Sequence, residues 1–184
     1  TGAIGQMLAP IKGIKRAAEK LAVEEKFNVD NIKDLLRSTI VVDSYEDAPA
    51  VVDEIRKDFD VLRVKNRTDL QMQGDNVQNA GFLESGYGDV LLNVRMPNGT
   101  VGEIQINVPE MLAAKGEEGH ALYEIERDQP VGSEIRQAVV QAQSEYYREA
   151  AAAAARRKNA SSEGAADRGM EGRSSSSPVS SDRK

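Results

Sequence analysis

The chain has 184 residues, with 24 Lys/Arg against 30 Asp/Glu, no cysteine, 4% aromatic residues and a mean hydropathy of −0.50. The absence of cysteine excludes a disulfide frame and thiolate chemistry, and the acidic balance argues against general DNA or RNA binding, which needs a basic excess. No apolar run is long enough to span a bilayer and no secretory signal opens the sequence, so the expectation is a cytoplasmic protein without a membrane segment.

Apolar content thins out sharply near Ala150, where an alanine run gives way to Ser-, Gly- and Arg-rich sequence. That tail has little to bury and is expected to be disordered beyond the end of a helix. One domain over 1–148 and a tail over 149–184 follow. Residues after Ala150 carry seven Lys/Arg and four Asp/Glu, which leaves 17 against 26 in the body, a net charge of −9. Any phosphate site there has to be a local cluster. The start at Thr1 rather than Met suggests a processed chain or a piece of a larger protein with elements missing upstream.

From about Gln6 to Glu25 the apolar positions recur at helical spacing, with Ile11, Ile14, Ala18 and Leu21 on one side. Lys12, Arg16 and Lys20 repeat every fourth residue on nearly the opposite side, either as a solvated face or as a row of cations over a polyphosphate. A β-branched strand follows at Ser38 to Val42, with Asp34 just before it and Arg37 at its start. Residues 46–59 read as a helix with Ala48, Val51, Val52, Ile55 and Phe59 on its core face. The strand "DVLRVKNR" then sets Arg63 and Lys65 on one face. Residues 68–85 have no period, which in a compact domain marks a functional or mobile loop.

The sharpest local signal is "GYGDVLLNVRMPNGTVGEIQINV", Gly86 to Val108. Alternating apolar residues flank Asn98-Gly99, the pair that supplies positive-φ positions to a hairpin turn. Val90, Leu92, Val94 and Met96 fall on one face, as do Ile104, Ile106 and Val108, while Glu103, Gln105 and Asn107 take the other. A helix from Pro109, a break near Gly116 or Gly119, a second short helix and a long helix from 131 to about 157 complete the chain. The order defines an α+β fold, a small mixed sheet with flanking helices followed by a C-terminal helix.

In that order, Lys12 with Arg16 and Lys20, "KDLLRSTIVVD", "RVKNR", "GYGDVLLNV", "GEIQI" and "GHALYEIERD" resemble the synthetase domain of the RelA/SpoT family, over roughly residues 10–128 and closest to small or phage-borne members. The resemblance implies a nucleotidyltransferase-like fold and a Mg²⁺-dependent pyrophosphokinase, which moves the β,γ-pyrophosphate of ATP to the 3'-hydroxyl of GDP or GTP. Asp34 matches the metal-binding acid. Glu103 matches the acid that assists the metal or takes the acceptor proton. Lys12, Arg16, Lys20, Arg37, Arg63, Lys65 and Gln105 form the nucleotide-binding set that it implies, and Tyr87 matches the residue that stacks on the acceptor base. Pro10 stands where the family usually has Arg, and Leu91 where long forms carry His. Toxic relatives use a tRNA 3' end as acceptor, and a degenerate nucleotide-binding or structural module of a larger phage protein is the reading from another class. The family's His-Asp hydrolase site needs several histidines, and His120, the single one, is expected to be structural. A homo-oligomer or a larger parent protein is among the expectations.

Overall fold

The computed structural model describes residues 5–8 and 36–171, with side chains described over 36–116 and 118–161. Six strands form one mixed sheet: β1 (Gly5–Leu8), β2 (Leu36–Val41), β3 (Asp60–Asn66), β4 (Val77–Asn79), β5 (Val90–Arg95) and β6 (Val101–Asn107). Their spatial order is β1-β2-β6-β5-β3-β4. β6 is parallel to β2 and antiparallel to β5, so the strand that carries Glu103 is bonded along both edges. Helix α1 (Ala48–Asp58) connects β2 to β3, and α2 (Pro109–Ala114), α3 (Glu117–Asp128) and α4 (Glu134–Glu171) follow β6.

The hairpin register is the one the alternation predicts: Val90 pairs with Ile106, and Leu92 with Ile104. Leu92 and Ile106 are fully buried, which stabilises the fold by about 2 kcal/mol per side chain. The turn differs in detail. Only Gly99 has positive φ (85°), while Asn98 accepts from the Thr100 N–H through its Oδ1 (3.1 Å), as in a longer hairpin loop closed by a left-handed glycine.

Against the same apolar face lies α1. Ala48, Val51 and Val52 are buried and Ile55 and Phe59 partly so, as the periodicity predicts. The helix starts cleanly because Ser44 caps the preceding 3-10 turn (Tyr45–Asp47) in a reciprocal box with Asp47 and because Pro49 sits in its first turn. In β3 a bulge at Leu62 shifts the register between Val61 and Arg63. The extra residue returns Val64 and Asn66 to the face of Val61 and sends Arg63 and Lys65 to the other.

Four expectations are modified. Gln6 to Leu8, read as the start of a helix, belong to edge strand β1, paired antiparallel with Thr39, Ser38 and Ile40 of β2; ladder bonds and the Pro at position 10 override the helical period there. β2 begins two residues earlier than the β-branched run, at Leu36. The 68–85 stretch holds β4, an edge strand parallel to β3. α4 runs to Glu171 rather than stopping near 157, since an alanine run is the strongest intrinsic helix former. Among the described residues no helix is long and apolar enough to cross a membrane.

Candidate active site

Residues paired directly across neighbouring strands project to the same side of a sheet. Arg37 of β2 pairs with Glu103 of β6, Glu103 with Asn93 of β5, and Asn93 with Arg63 of β3. The next row is Thr39, Gln105, Leu91 and Lys65. Six residues picked from sequence therefore meet on one sheet face or at its end: Glu103, Gln105, Arg37, Arg63, Lys65 and, at the entry to β5, Tyr87. At a strand spacing of about 4.8 Å the first row spans roughly 14 Å, with a carboxylate between two guanidinium groups. Asp34, Lys12, Arg16 and Lys20 lie outside the described residues.

Among the described residues the Nε of Arg37 is buried with no hydrogen-bond partner. A buried donor left unmade costs about 1–3 kcal/mol, the kind of deficit a ligand oxygen removes. Gln105 bridges two groups: its Nε2 donates to Glu103 Oε1 at 3.1 Å, and its Oε1 accepts from Lys115 Nζ at 2.8 Å. Lys115, at the end of α2, went unnoticed in the sequence, because nothing in "MLAAKGEEG" says that α2 folds back over the β6 row. Its ammonium is half-buried, and burial pulls its pKa below the ordinary lysine range, with Asp89 and Glu103 opposing that fall and Arg37 and Arg67 adding to it.

Tyr87 departs most from expectation. It is 8% exposed, its ring packs edge-on against Tyr147 (5.4 Å between centroids), and the cations of Lys115 and Arg67 sit 5.3 and 5.8 Å from its centroid. Its hydroxyl donates to Asp89 Oδ2 (3.0 Å) and accepts from Asn107 Nδ2 (3.1 Å). Burial first, and then the Asp89 carboxylate, push its pKa far above the usual phenol value. The ring is thus a packed, hydrogen-bonded part of the wall rather than an open platform for a base.

Behind it runs a polar chain absent from the sequence reading. Arg67 donates through Nε and Nη2 to the two oxygens of Asp89 at 2.6 and 2.8 Å, and Asp89 is fully buried. Tyr45, from the turn before α1, reaches Asn107 Oδ1 (2.5 Å) and the Gly88 carbonyl (2.8 Å) with its hydroxyl. The signal was available in part, since a lone Asp inside "GYGDVLL" has no place in a buried strand unless it is paired.

His120 lies on α3 with its side chain exposed, so it packs no core. Among the described residues no group of three or more His, Cys, Asp or Glu could hold a metal ion. Glu103 alone of the expected pair can be placed, and it offers the hard oxygen donor that Mg²⁺ takes when phosphate oxygens complete its shell.

The mixed sheet with its flanking helices has the fold of the small alarmone synthetases. Over 113 residues the chain is 30% identical to the (p)ppApp synthetase toxin Tas1 of Pseudomonas aeruginosa (strain UCBPP-PA14), a match that covers 61% of this chain. The chain spans under a quarter (23%) of the length of that curated relative. The crystal structure of the Type VI effector Tas1 with its immunity protein superposes with a TM-score of 0.57 at 26% identity, covering 81% of each chain. The small alarmone synthetase 1 of Bacillus subtilis bound to its product pppGpp gives a TM-score of 0.63 at 19% identity over 86% of this chain and 78% of that one. A GTP pyrophosphokinase family protein from Streptococcus pneumoniae gives 0.59 at 18% over 90% and 78%. No family model matches the chain.

Proposed function

We propose that the chain is an ATP-dependent pyrophosphokinase that transfers the β,γ-pyrophosphate of ATP to the 3'-hydroxyl of a purine nucleotide. The observation that carries this reading is the row Arg37, Glu103, Asn93, Arg63, with, beside the carboxylate, a buried donor on Arg37 that has no partner among the described residues. The acceptor's 3'-oxygen attacks the β-phosphorus, the bond from that phosphorus to the bridging oxygen of the α-phosphate breaks, and AMP leaves. Glu103 is the group that takes the 3'-hydroxyl proton. Arg37, Arg63 and Lys65 hold phosphate oxygens and offset the charge that spreads over them during transfer. Glu103, together with Asp34, would hold Mg²⁺, which supplies charge neutralisation on the triphosphate; Lys12, Arg16 and Lys20 are assigned to the same triphosphate.

For the acceptor we favour an adenine nucleotide over GDP or GTP. The 30% relative is named for (p)ppApp synthesis, whereas the pppGpp-bound neighbour, at 19% identity, speaks for the fold alone. Tyr87, closed in by Tyr147, Lys115 and Arg67, is assigned to shaping the acceptor wall.

The test is transfer of label from γ-labelled ATP to AMP, ADP or ATP, to GDP or GTP, and to tRNA in separate reactions, with AMP release followed in parallel. Labelled adenosine product is expected. Labelled guanosine or tRNA product would overturn the acceptor assignment and keep the reaction. No labelled product together with no AMP release would reject the enzyme in favour of a binding or structural module. Glu103→Gln should lower transfer by ~10²-fold or more with an unchanged melting temperature.

A further inference from the structure

Gln105 stands between a group that only donates and a group that only accepts. An ammonium has no lone pair and a carboxylate has no proton, so the amide has one orientation that satisfies both: carbonyl toward Lys115, NH₂ toward Glu103. The observed contacts have that orientation, at 2.8 Å and 3.1 Å. Lys115 is itself held by the face of Tyr87, 5.3 Å from the ring centroid, and sits at the end of α2, where its backbone N–H is bonded to Met111 and Ala113.

We infer that Lys115 is a positioning residue for Glu103 and acts through Gln105, by locking the amide so that its NH₂ keeps a donor on the carboxylate. Without the ammonium the amide carbonyl loses the hydrogen-bond partner that Lys115 supplies, so the side chain is held only at its Glu103 end and can rotate off the carboxylate, which then loses that donor. The carboxylate would then be held less tightly in its place between Arg37 and Asn93. The inference rests on the transferase reading for its effect on rate, but the relay is a statement about side-chain geometry and has its own readout.

The experiment is a double-mutant cycle with Lys115→Met, Gln105→Ala and the combination, read in steady-state transfer with the acceptor that the wild-type protein uses, alongside melting temperatures. K115M should lower kcat about 10- to 100-fold, as supporting groups around a site do, with the KM for ATP and acceptor within about twofold. The double variant should be no slower than the slower single one, because both changes break one relay. K115R, which keeps the donors, should recover most of the loss. Losses that multiply, with KM rising in K115M, would make Lys115 a direct substrate contact and overturn the inference. So would a fall in melting temperature that accounts for the lost activity. Independently of turnover, the Gln105 side-chain amide resonances, assigned by their disappearance in Q105A, should move in K115M and return in K115R. Resonances that stay in place refute the relay. If wild-type protein transfers nothing while these resonances move, the transferase reading fails and the relay stands.

Discussion

The buried pair Arg67 and Asp89 offers a quantitative test of how the site wall is held. Asp89 has no exposed side-chain surface and Arg67 has 15%, and their bidentate contact (2.6 and 2.8 Å) is reinforced by the Tyr87 hydroxyl. Desolvation works against the Arg67 charge, yet the Asp89 carboxylate outweighs it and holds the guanidinium above its ordinary pKa. Asp89→Asn keeps the shape but strands a buried cation, and Arg67→Met strands a buried anion. Breaking such a pair costs about 3–5 kcal/mol. At roughly 3 °C per kcal/mol for a chain of this size, each single variant should melt about 10 °C lower. The double variant removes both charges, so it should be no less stable than either single one, with a coupling of about 2 kcal/mol or more. Thermal and urea unfolding followed by circular dichroism measures all four proteins. Single losses below about 2 °C, or losses that simply add, would refute the view that this pair is an interdependent buried unit.

Other perturbations probe neighbouring parts. A Cβ on Gly88 would lie 2.4 Å from a Phe82 ring carbon and 2.6 Å from the Arg67 carbonyl, so Gly88→Ala should cost about 1–3 kcal/mol, read as a lowered urea midpoint. Tyr45→Phe removes the hydroxyl that reaches Asn107 and Gly88, and about 1 kcal/mol of stability should go with it; an unchanged midpoint would show that water replaces the hydroxyl freely. Arg157 donates to both oxygens of Glu110 and to the Asp43 carbonyl, tying α4 to α2 and to the loop after β2. That hydrogen bond lowers the Glu110 pKa. Because the folded value lies below the unfolded one, the stabilisation is present above the ordinary glutamate range and is lost as pH falls through the folded value. Arg157→Ala should therefore destabilise at pH 7 and approach wild type as the pH falls below the ordinary glutamate range; a deficit independent of pH would reject the assignment.

What sequence could reach followed from where side-chain periodicity carries the information. The β5–β6 hairpin and the core face of α1 were legible because burial on one face leaves a period of 2 or 3.6, whereas the break near Gly116 or Gly119 was narrowed to Gly116 only by the structure. Glu103 and Gln105 were placed correctly by the same alternation. The 68–85 loop was opaque because side-chain amides organise it: Asn66 Nδ2 donates to the Leu70 carbonyl and Asn79 Oδ1, and Asn79 Nδ2 to the Met72 carbonyl. Such bonds leave no apolar rhythm. Lys115, Arg67 and Tyr45 escaped notice for a related reason, since each meets the site through tertiary packing between segments far apart in the chain. The bulge at Leu62 is intermediate: "DVLRVKN" breaks strict alternation, and the structure shows how the break is absorbed.

The position of β6 bears on how the site can move. With β2 bonded along one edge and β5 along the other, the amides around Glu103 open to solvent only when two ladders separate, so their hydrogen exchange should follow global unfolding. The 68–85 loop lies at the edge of the sheet, tied to β3 through β4 and through the side chains of Asn66 and Asn76, so its opening breaks one ladder rather than two. The carboxylate therefore stands on the strand that is hardest to part from its neighbours, while the β4 edge can separate without disturbing it.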